Sequence, residues 1–238
     1  AVAVRLFVSL LLLGHVPMAS DGLSYFQQAA RMAENGVGSS IPAYWPIGSS
    51  LFVVPCFYLP GDPFIWTRVL LALSGGVASI GAVLLATTLG FCKRESLTSG
   101  LLVAVSPTIA LMSIEPMSYN FVVPLFIWSV LFMLRAQESS GARKPIMLGI
   151  SGLLLGLATL VRPSLTSVVV LAPLLVPALR FLSRWRRPAG TVPDFKGIPS
   201  FKALLLVSAV ALVPVLVVQA AHHQAGAGWS LSINNEAN

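Results

Sequence analysis

The chain has 238 residues, of which 56% are hydrophobic and only 10% charged, and its formal net charge is +7. A soluble domain carries about 25% charged residues, so this composition excludes a water-exposed globular surface and predicts a polytopic membrane protein. The Lys and Arg residues lie mostly in short loops between apolar runs. That placement is the positive-inside signal rather than a nucleic-acid surface. We therefore expect an all-α bundle of transmembrane helices without a nucleic-acid partner.

A polar stretch, SDGLSYFQQAARMAENG (20–36), follows the first apolar run. Asp21 can cap a helix from Gly22 to Glu34, and Gly36 would end it. A helix with one apolar face lies on a membrane surface rather than across it, so we expect this helix at the surface. The predicted apolar face consists of Leu23, Phe26, Ala30 and Ala33, and the polar face of Ser24, Gln27, Gln28, Arg31 and Glu34.

The segment Pro46–Leu59 decides how the chain threads the membrane. It is apolar but only 14 residues long, and Pro55 interrupts it. Runs of that length are more often re-entrant or interfacial than spanning. If it does not cross, eleven of the 15 Lys and Arg residues fall on one side, which the positive-inside rule makes cytoplasmic. Arg5 then lies near that side, and Asp21 lies outside the cytoplasm. The predicted spans are 1–18, 64–90, 97–113, 117–134, 146–163, 164–182 and 201–221.

The chain reads as one transmembrane domain, 1–238. Because it begins without Met and ends on polar residues, we expect it to be the N-terminal part of a longer protein. The first extracytoplasmic loop covers 19–63. The loop 180–202 is basic and cytoplasmic, and it would contact anionic lipid headgroups or a partner. Gly152 and Gly156 form a G-x-x-x-G motif that permits close helix packing.

Neither Cys nor His residues form a recognisable metal or disulfide pattern. Cys56 and Cys92 lie far apart in apolar surroundings, so we expect no disulfide between them. His222 and His223 are adjacent, so their side chains diverge on a helix and make a poor metal pair. We expect His15 to be packed within the first span.

Three charges fall at the extracytoplasmic ends of predicted spans: Asp21, Glu115 and Arg162. Ionisable residues beside apolar spans are costly unless they pair or line a wet cavity. Each has a plain structural explanation as well, namely an N-cap, an acid near a helix start, and a side chain that reaches headgroups. Because all three share one face, we favour a functional site. Arg68 lies on the same face and either joins the site or pairs with Asp62.

The order of motifs along the chain resembles a known family. SDGLSYFQQAARMAENG is followed by YWPIGSSLFVVPCFYLPGDPFIWTR, then SPTIALMSIEPMSYN, then GLLLGLATLVRPSL. This order is similar to that of the GT-C glycosyltransferases of the protein-mannosyltransferase and lipid A aminoarabinose-transferase type. The resemblance implies an integral membrane enzyme that uses a polyprenyl- or dolichyl-phosphate-linked sugar. It also implies a location in the plasma, inner or ER membrane, with the active site outside the cytoplasm.

The resemblance also implies roles for single residues. Asp21 matches the base that takes the proton from the acceptor hydroxyl. Glu115 matches an acid that shapes the site or, with Asp21, holds a divalent metal ion. Arg162 matches the basic residue that contacts the lipid phosphate. The other expected substrate-binding residues are Tyr25, Tyr44, Trp45 and Arg68. Two positions depart from the family pattern: Gly22 stands where many members have a second acid, and Trp45 where many have Lys.

Sugar transfer from a lipid phosphate fits these residue types on chemical grounds. It needs a general base for the acceptor hydroxyl, which can belong to a lipid, a protein or a glycan, and a cation for the phosphate leaving group. Two other classes remain open. A transporter or flippase of a lipid-linked solute would use the same charges as a substrate path, although no second half resembles the first. A non-catalytic membrane subunit would only pack against partners.

Overall fold

A computed structural model describes residues 1–12, 18, 20–40, 45–106, 114–174 and 199–225. No strand occurs in these ranges, so the predicted all-α fold is confirmed. The main helices are α1 (Val2–Leu6, continued by a π-helical stretch, Phe7–Leu12), α2 (Ser20–Asn35), α3 (Ile47–Val53, continued by a 3-10 helix, Val54–Tyr58), α4 (Pro63–Thr88), α5 (Lys93–Val105), α6 (Ser118–Glu138), α7 (Arg143–Val161), α8 (Leu165–Leu174) and α9 (Phe201–Gln224).

Four of these helices are long and apolar enough to cross a membrane: α4, α6, α7 and α9. They coincide within a few residues with four of the predicted spans. The count of about seven spans stays a prediction, because α1, α5 and α8 are shorter and parts of their predicted spans lie outside the described residues. Also outside are His15, Tyr44, most of the basic loop 180–202 and the tail after residue 225.

Helices α6, α7 and α9 form a tightly packed half of the bundle, here called the packed half. A Cβ on Gly152 would lie 2.6 Å from the carbonyl oxygen of Val207, and Gly156 meets the carbonyl of Ala211 in the same way. Ser129 of α6 and Ser151 of α7 each donate a 2.8 Å hydrogen bond to the other's carbonyl. The predicted role of the G-x-x-x-G motif in helix packing is therefore confirmed, and its partner is α9.

The prediction that Arg5 lies near the cytoplasmic face is wrong. Its guanidinium lies against Gly75, which is halfway along α4. Arg5 is fully buried, and its Nη2 donates a 3.0 Å hydrogen bond to the carbonyl of Val103 in the last turn of α5. Gly75 provides the space for this guanidinium because it has no side chain. The charge rule could not detect this, because it counts residues in loops and not those inside the bundle.

The segment Ile47–Tyr58 lies at the end of the bundle where α4 begins. Gly48 packs on the backbone of Leu160 and Val161, at the C-terminal end of α7. At the other end of the segment, the Tyr58 hydroxyl donates a 3.1 Å hydrogen bond to the carbonyl of Ala33. The two ends thus meet α2 and the C-terminus of α7; that the segment does not cross the membrane stays a prediction. The helix tightens to a 3-10 form around Pro55, which lacks an amide proton for the α-helical ladder.

Helix α2 packs on this segment, but with a different face from the one predicted. The buried side chains are those of Tyr25, Gln28, Ala29 and Met32, whereas Leu23 is 38% exposed. The face is rotated because the Gln28 amide is hydrogen-bonded inside the protein instead of facing water. The helix also begins at Ser20, so Asp21 lies in its first turn and is not the predicted N-cap.

Candidate functional site

The polar end is the end of the bundle at which α2, α4 and α6 begin and α7 ends. Glu115 lies here against the first turn of α2, the turn that contains Asp21. A Cβ on Gly22 would lie 2.6 Å from the Cβ of Glu115 and 2.7 Å from its Oε2. The carboxylate of Glu115 therefore lies against the residue that follows Asp21. The side-chain space left by Gly22, where the resemblance implies a second acid, is taken up by an acid from another segment.

Arg68 approaches Glu115 from α4. Its side chain is 1% exposed, its guanidinium carbon lies 4.2 Å from the centre of the Phe64 ring, and its Nη1 donates a 2.6 Å hydrogen bond to the carbonyl of Ser9. The charge of Glu115 acts on this guanidinium. Asp62 instead caps α4, since its Oδ1 accepts a 2.8 Å hydrogen bond from the amide of Phe64. Of the two alternatives for Arg68, the structure favours the one that groups it with Glu115.

Tyr25 lies near both Asp21 and Arg162. Its side chain is 6% exposed, and burial, followed by the negative charge of Asp21 and the nearby phenol of Tyr119, raises the pKa of its own phenol. The positive charge of Arg162 acts in the opposite direction and lowers it. Charges affect one another more strongly at short separations and in a partly dry environment. Asp21 and Arg162 therefore both lie within electrostatic reach of one buried phenol.

Arg162 is positioned by the end of α7. The helix ends at Val161, and Arg162 has an extended backbone, with φ −137° and ψ 95°. Pro163 is the cause, because the residue before a proline is pushed out of the helical region. The amide of Arg162 still donates a 2.9 Å hydrogen bond to the carbonyl of Ala158. This fixes the start of the side chain at the polar end, while the residue itself stays exposed.

Trp45 is held beside Tyr25 by a short hydrogen-bonded bridge between α2 and α3. The two rings lie 5.8 Å apart. Gln28 donates a 3.4 Å hydrogen bond from Nε2 to the carbonyl of Trp45 and accepts one of 2.6 Å from the hydroxyl of Ser50. Ser50 also lies 3.0 Å from the carbonyl of Tyr25. The half-buried Trp45 is thus fixed at the edge of the polar end, where an aromatic face can stack on a sugar ring.

An apolar groove of about 550 Å³ runs along α4 and α6, away from the polar end. Its upper boundary is the stacked pair of Phe52 and Phe121, whose rings lie 4.9 Å apart. Phe121 lies in the first turn of α6, so this end of the groove is the one nearer to the polar end. Farther along, the groove is lined by Leu125, Trp128 and Phe132 among others. Its shape and apolar lining suit an extended hydrocarbon chain.

Asp21 and Glu115 are a sparse but chemically suitable pair for a metal ion. Mg²⁺ is often held by one or two carboxylates together with substrate phosphates, so the pair fits such an ion. Within the described ranges no group of three His, Cys, Asp or Glu residues could hold one. The divalent ion therefore stays a prediction.

The polar end contains side chains that the sequence-based reasoning missed. Asn120 is buried, and its Nδ2 donates a 2.8 Å hydrogen bond to the carbonyl of Glu115. Tyr119 acts on Tyr25 electrostatically. Its spacing of four residues from Glu115, across the start of a predicted span, is the signal that could have indicated it. Gln28 and Ser50 carried no such signal, because they pair only in three dimensions.

The structure thus brings together most of the predicted site residues. Glu115 lies against the first turn of α2, which contains Asp21, and its charge acts on Arg68 of α4. Tyr25 lies near Trp45, Asp21 and Arg162 at the same end of the bundle. Of the predicted set, only Tyr44 lies outside the described residues. Their catalytic and binding roles stay predictions.

A comparison of the sequence with protein-family models shows the family of this chain. The model of the dolichyl-phosphate-mannose-protein mannosyltransferase family matches residues 46–218, which is well over half of the chain. The match includes Arg68, Glu115 and Arg162 and begins after α2. No curated protein and no solved structure matches the chain. The family consists of membrane glycosyltransferases, in agreement with the four helices that can span a bilayer. The chain is an integral membrane protein that belongs to the dolichyl-phosphate-mannose-protein mannosyltransferase family.

Proposed function

We propose that this protein transfers a sugar, mannose by the name of its family, from a dolichyl- or polyprenyl-phosphate donor to an acceptor hydroxyl on the extracytoplasmic side of the membrane. The observation that carries the proposal is that Asp21 and Arg162 lie near the buried Tyr25, with Glu115 and Arg68 at the same end of the bundle. The apolar groove along α4 and α6 supports it. The family name points to a protein acceptor.

Asp21 is the general base in this proposal. The acceptor oxygen attacks C1 of the sugar from the face opposite the phosphate, its proton passes to the Asp21 carboxylate, and the bond between C1 and the phosphate oxygen breaks. The product has inverted configuration at C1, and the lipid phosphate leaves with the bonding electron pair. General-base assistance of this kind contributes about 10²–10⁴-fold to a rate. The half-buried position of Asp21, next to Gly22 and Tyr25, supports this role.

Arg162 stabilises the leaving phosphate. A guanidinium binds phosphate oxygens through two parallel charge-assisted hydrogen bonds and keeps its charge at all physiological pH values. Its exposed position at the end of α7 supports this role, because a donor that diffuses in the bilayer can reach it there. Arg68 is fully buried, so its charge contributes to the site through Glu115 and the local field.

The groove along α4 and α6 binds the isoprenoid chain of the donor. Burial of apolar surface contributes about 25 cal/mol per Å², but lipid tails compete for the groove at nearly equal energy. The groove therefore supplies orientation more than affinity: it directs the phosphate of a bound donor toward the polar end. Trp45 and Tyr25 form the aromatic edge against which the sugar stacks.

The test is sugar transfer by the full-length protein in nanodiscs, with dolichyl-phosphate-mannose as donor and a Ser/Thr-containing peptide as acceptor. We expect Asp21→Asn to lower kcat by about 10²–10⁴-fold with unchanged donor affinity. Glu34→Gln, an exposed acid in the last turns of the same helix, is the matched control and should transfer normally. Full activity of Asp21→Asn would remove this residue from the mechanism.

The two other classes of function are alternative outcomes of the same experiment. Movement of the labelled donor across the bilayer, without transfer to any acceptor, would identify a transporter or flippase and overturn the proposal. A non-catalytic subunit would give a different result. The wild-type protein alone would neither transfer nor move the donor, and an activity seen only with a partner would be the same for the wild type and for Asp21→Asn.

A further inference from the structure

Gly22 packs against the charged side chain of Glu115 and not against the backbone of another helix. Gly48, Gly152 and Gly156 each face main-chain atoms of a neighbouring helix, as expected for close helix packing. The three atoms nearest to a Cβ on Gly22 all belong to Glu115: Cβ at 2.6 Å, Oε2 at 2.7 Å and Cδ at 3.1 Å. The Glu115 side chain thus occupies the volume into which any side chain of residue 22 would project.

Glu115 is itself held from several sides. Its carbonyl accepts hydrogen bonds from the amide of Met117 at 2.7 Å and from Nδ2 of Asn120 at 2.8 Å, which fixes the turn before α6. Its charge acts on the buried Arg68. On its other side lies the first turn of α2, where the helix dipole favours a negative charge. The Glu115 carboxylate therefore links three elements that have no covalent connection nearby.

We propose that Glu115 is a positioning residue, which holds the first turn of α2 and with it Asp21, and that Gly22 is required because it receives the Glu115 carboxylate. This inference rests on the proposed role of Asp21 as the base. The proposal requires a carboxylate beside the first turn of α2, and the carboxylate can belong either to residue 115 or to residue 22. An acid at position 22 would deliver its carboxylate to the space that Glu115 now occupies, because its oxygens lie two bonds beyond its Cβ.

The proposal predicts that the carboxylate can be moved from one segment to the other. In the transfer assay above, we expect Glu115→Gly, which removes both the carboxylate and the Cβ that lies against residue 22, to lower kcat by up to about 10²-fold, the scale on which a displacement of about 1 Å acts. Gly22→Asp alone should also impair transfer, since two carboxylates then compete for one volume. The double variant Gly22→Asp with Glu115→Gly should be at least tenfold more active than Glu115→Gly. Donor Kd should stay unchanged throughout.

Two controls separate charge from volume. The double variant Gly22→Asn with Glu115→Gly has nearly the same shape as the Asp variant without the charge, and we expect no recovery. Gly38→Asp places an acid where no atom lies within 4 Å of the new Cβ, and it should behave as wild type. Equal recovery by Asn and Asp would overturn the electrostatic role of Glu115, and no recovery by Asp would overturn the equivalence of the two positions.

A measurement without substrate keeps this inference distinct from the proposed function. Gly22→Ala should lower the apparent Tm in nanodiscs by several degrees when Glu115 is present and by much less in the Glu115→Gly background, because glycine also removes the Cβ of Glu115, which is the nearest clashing atom. If Gly22→Ala has the same effect in both backgrounds, the contact between the two residues is contradicted. If the coupling is found but no variant or wild type transfers sugar, the contact stands and the proposed enzyme function fails.

Discussion

The packed half and the polar end are built on opposite physical principles. In α6, α7 and α9, glycines let one backbone approach another, and Ser129 and Ser151 satisfy each other's carbonyls. At the polar end, Gly22 accepts a carboxylate in the same way that Gly156 accepts a carbonyl. The comparison shows that the same residue type performs two tasks: in one region it brings helices together, and in the other it admits a charge.

The two regions also differ in how charge is tolerated. Helix association in a bilayer depends on packing and on interhelical hydrogen bonds, because lipid tails are as apolar as the helices themselves. The packed half satisfies this requirement with apolar and small side chains. The polar end gathers Asp21, Glu115 and Arg68 beside Arg162, a grouping that is costly in hydrocarbon unless the charges offset one another. The close packing of α6, α7 and α9 can therefore support the charged end, which lies where α6 begins and α7 ends.

The largest expected effect in the polar end, after that of Asp21, belongs to Arg162. Arg162→Ala should raise the donor Kd by about 10- to 10²-fold, since it removes a bidentate, charge-assisted contact of the kind that contributes about 1.5–3 kcal/mol. Arg162→Lys should restore part of this affinity because it keeps the charge but not the fork. Titration of the nanodisc-embedded protein with fluorescent dolichyl phosphate measures both. Donor affinity that is the same in all three proteins would remove Arg162 from phosphate binding.

The packed half should respond in stability instead of chemistry. Gly156→Leu forces α7 and α9 apart, and overpacking of this kind typically costs about 1–3 kcal/mol. We expect a lower apparent Tm, with donor affinity preserved in the protein that remains folded. Gly149→Leu is the matched control on the same helix, because nothing lies within 4 Å of a Cβ there. A normal Tm for Gly156→Leu, or a fall as large for Gly149→Leu, would contradict the packing described for this half.

Sequence reasoning captured the placement of charges better than the packing of faces. The Lys and Arg residues in loops predicted consistent orientations for α4, α6, α7 and α9. These orientations in turn predicted that Asp21, Glu115 and Arg162 lie at one end of the bundle. The buried face of α2 was predicted wrongly because Gln28 was counted as polar. Its hydrogen bonds to Ser50 and Trp45 come from a segment whose position the helical periodicity of α2 does not encode.

Arg5 illustrates the same limit inside the bundle. A single Arg near the start of an apolar run has the pattern of a residue at the membrane surface. The space beside Gly75 that buries it depends on how α1 meets α4, which composition does not reveal. Local signals such as Pro163, by contrast, act within one or two residues and correctly predicted the end of α7.

The pKa of Tyr25 most directly tests whether Asp21 and Arg162 belong to one site, because both charges act on this buried phenol. The signal of Tyr25, assigned by its loss in Tyr25→Phe, can be followed by NMR of ¹³C-labelled tyrosine as pH rises. In the wild type it should titrate above the ordinary tyrosine pKa of 10.0. Asp21→Asn removes a negative charge and should lower this pKa, whereas Arg162→Ala removes a positive charge and should raise it further. Shifts in these two directions would support a single shared site, and a Tyr25 pKa that neither substitution changes would contradict it.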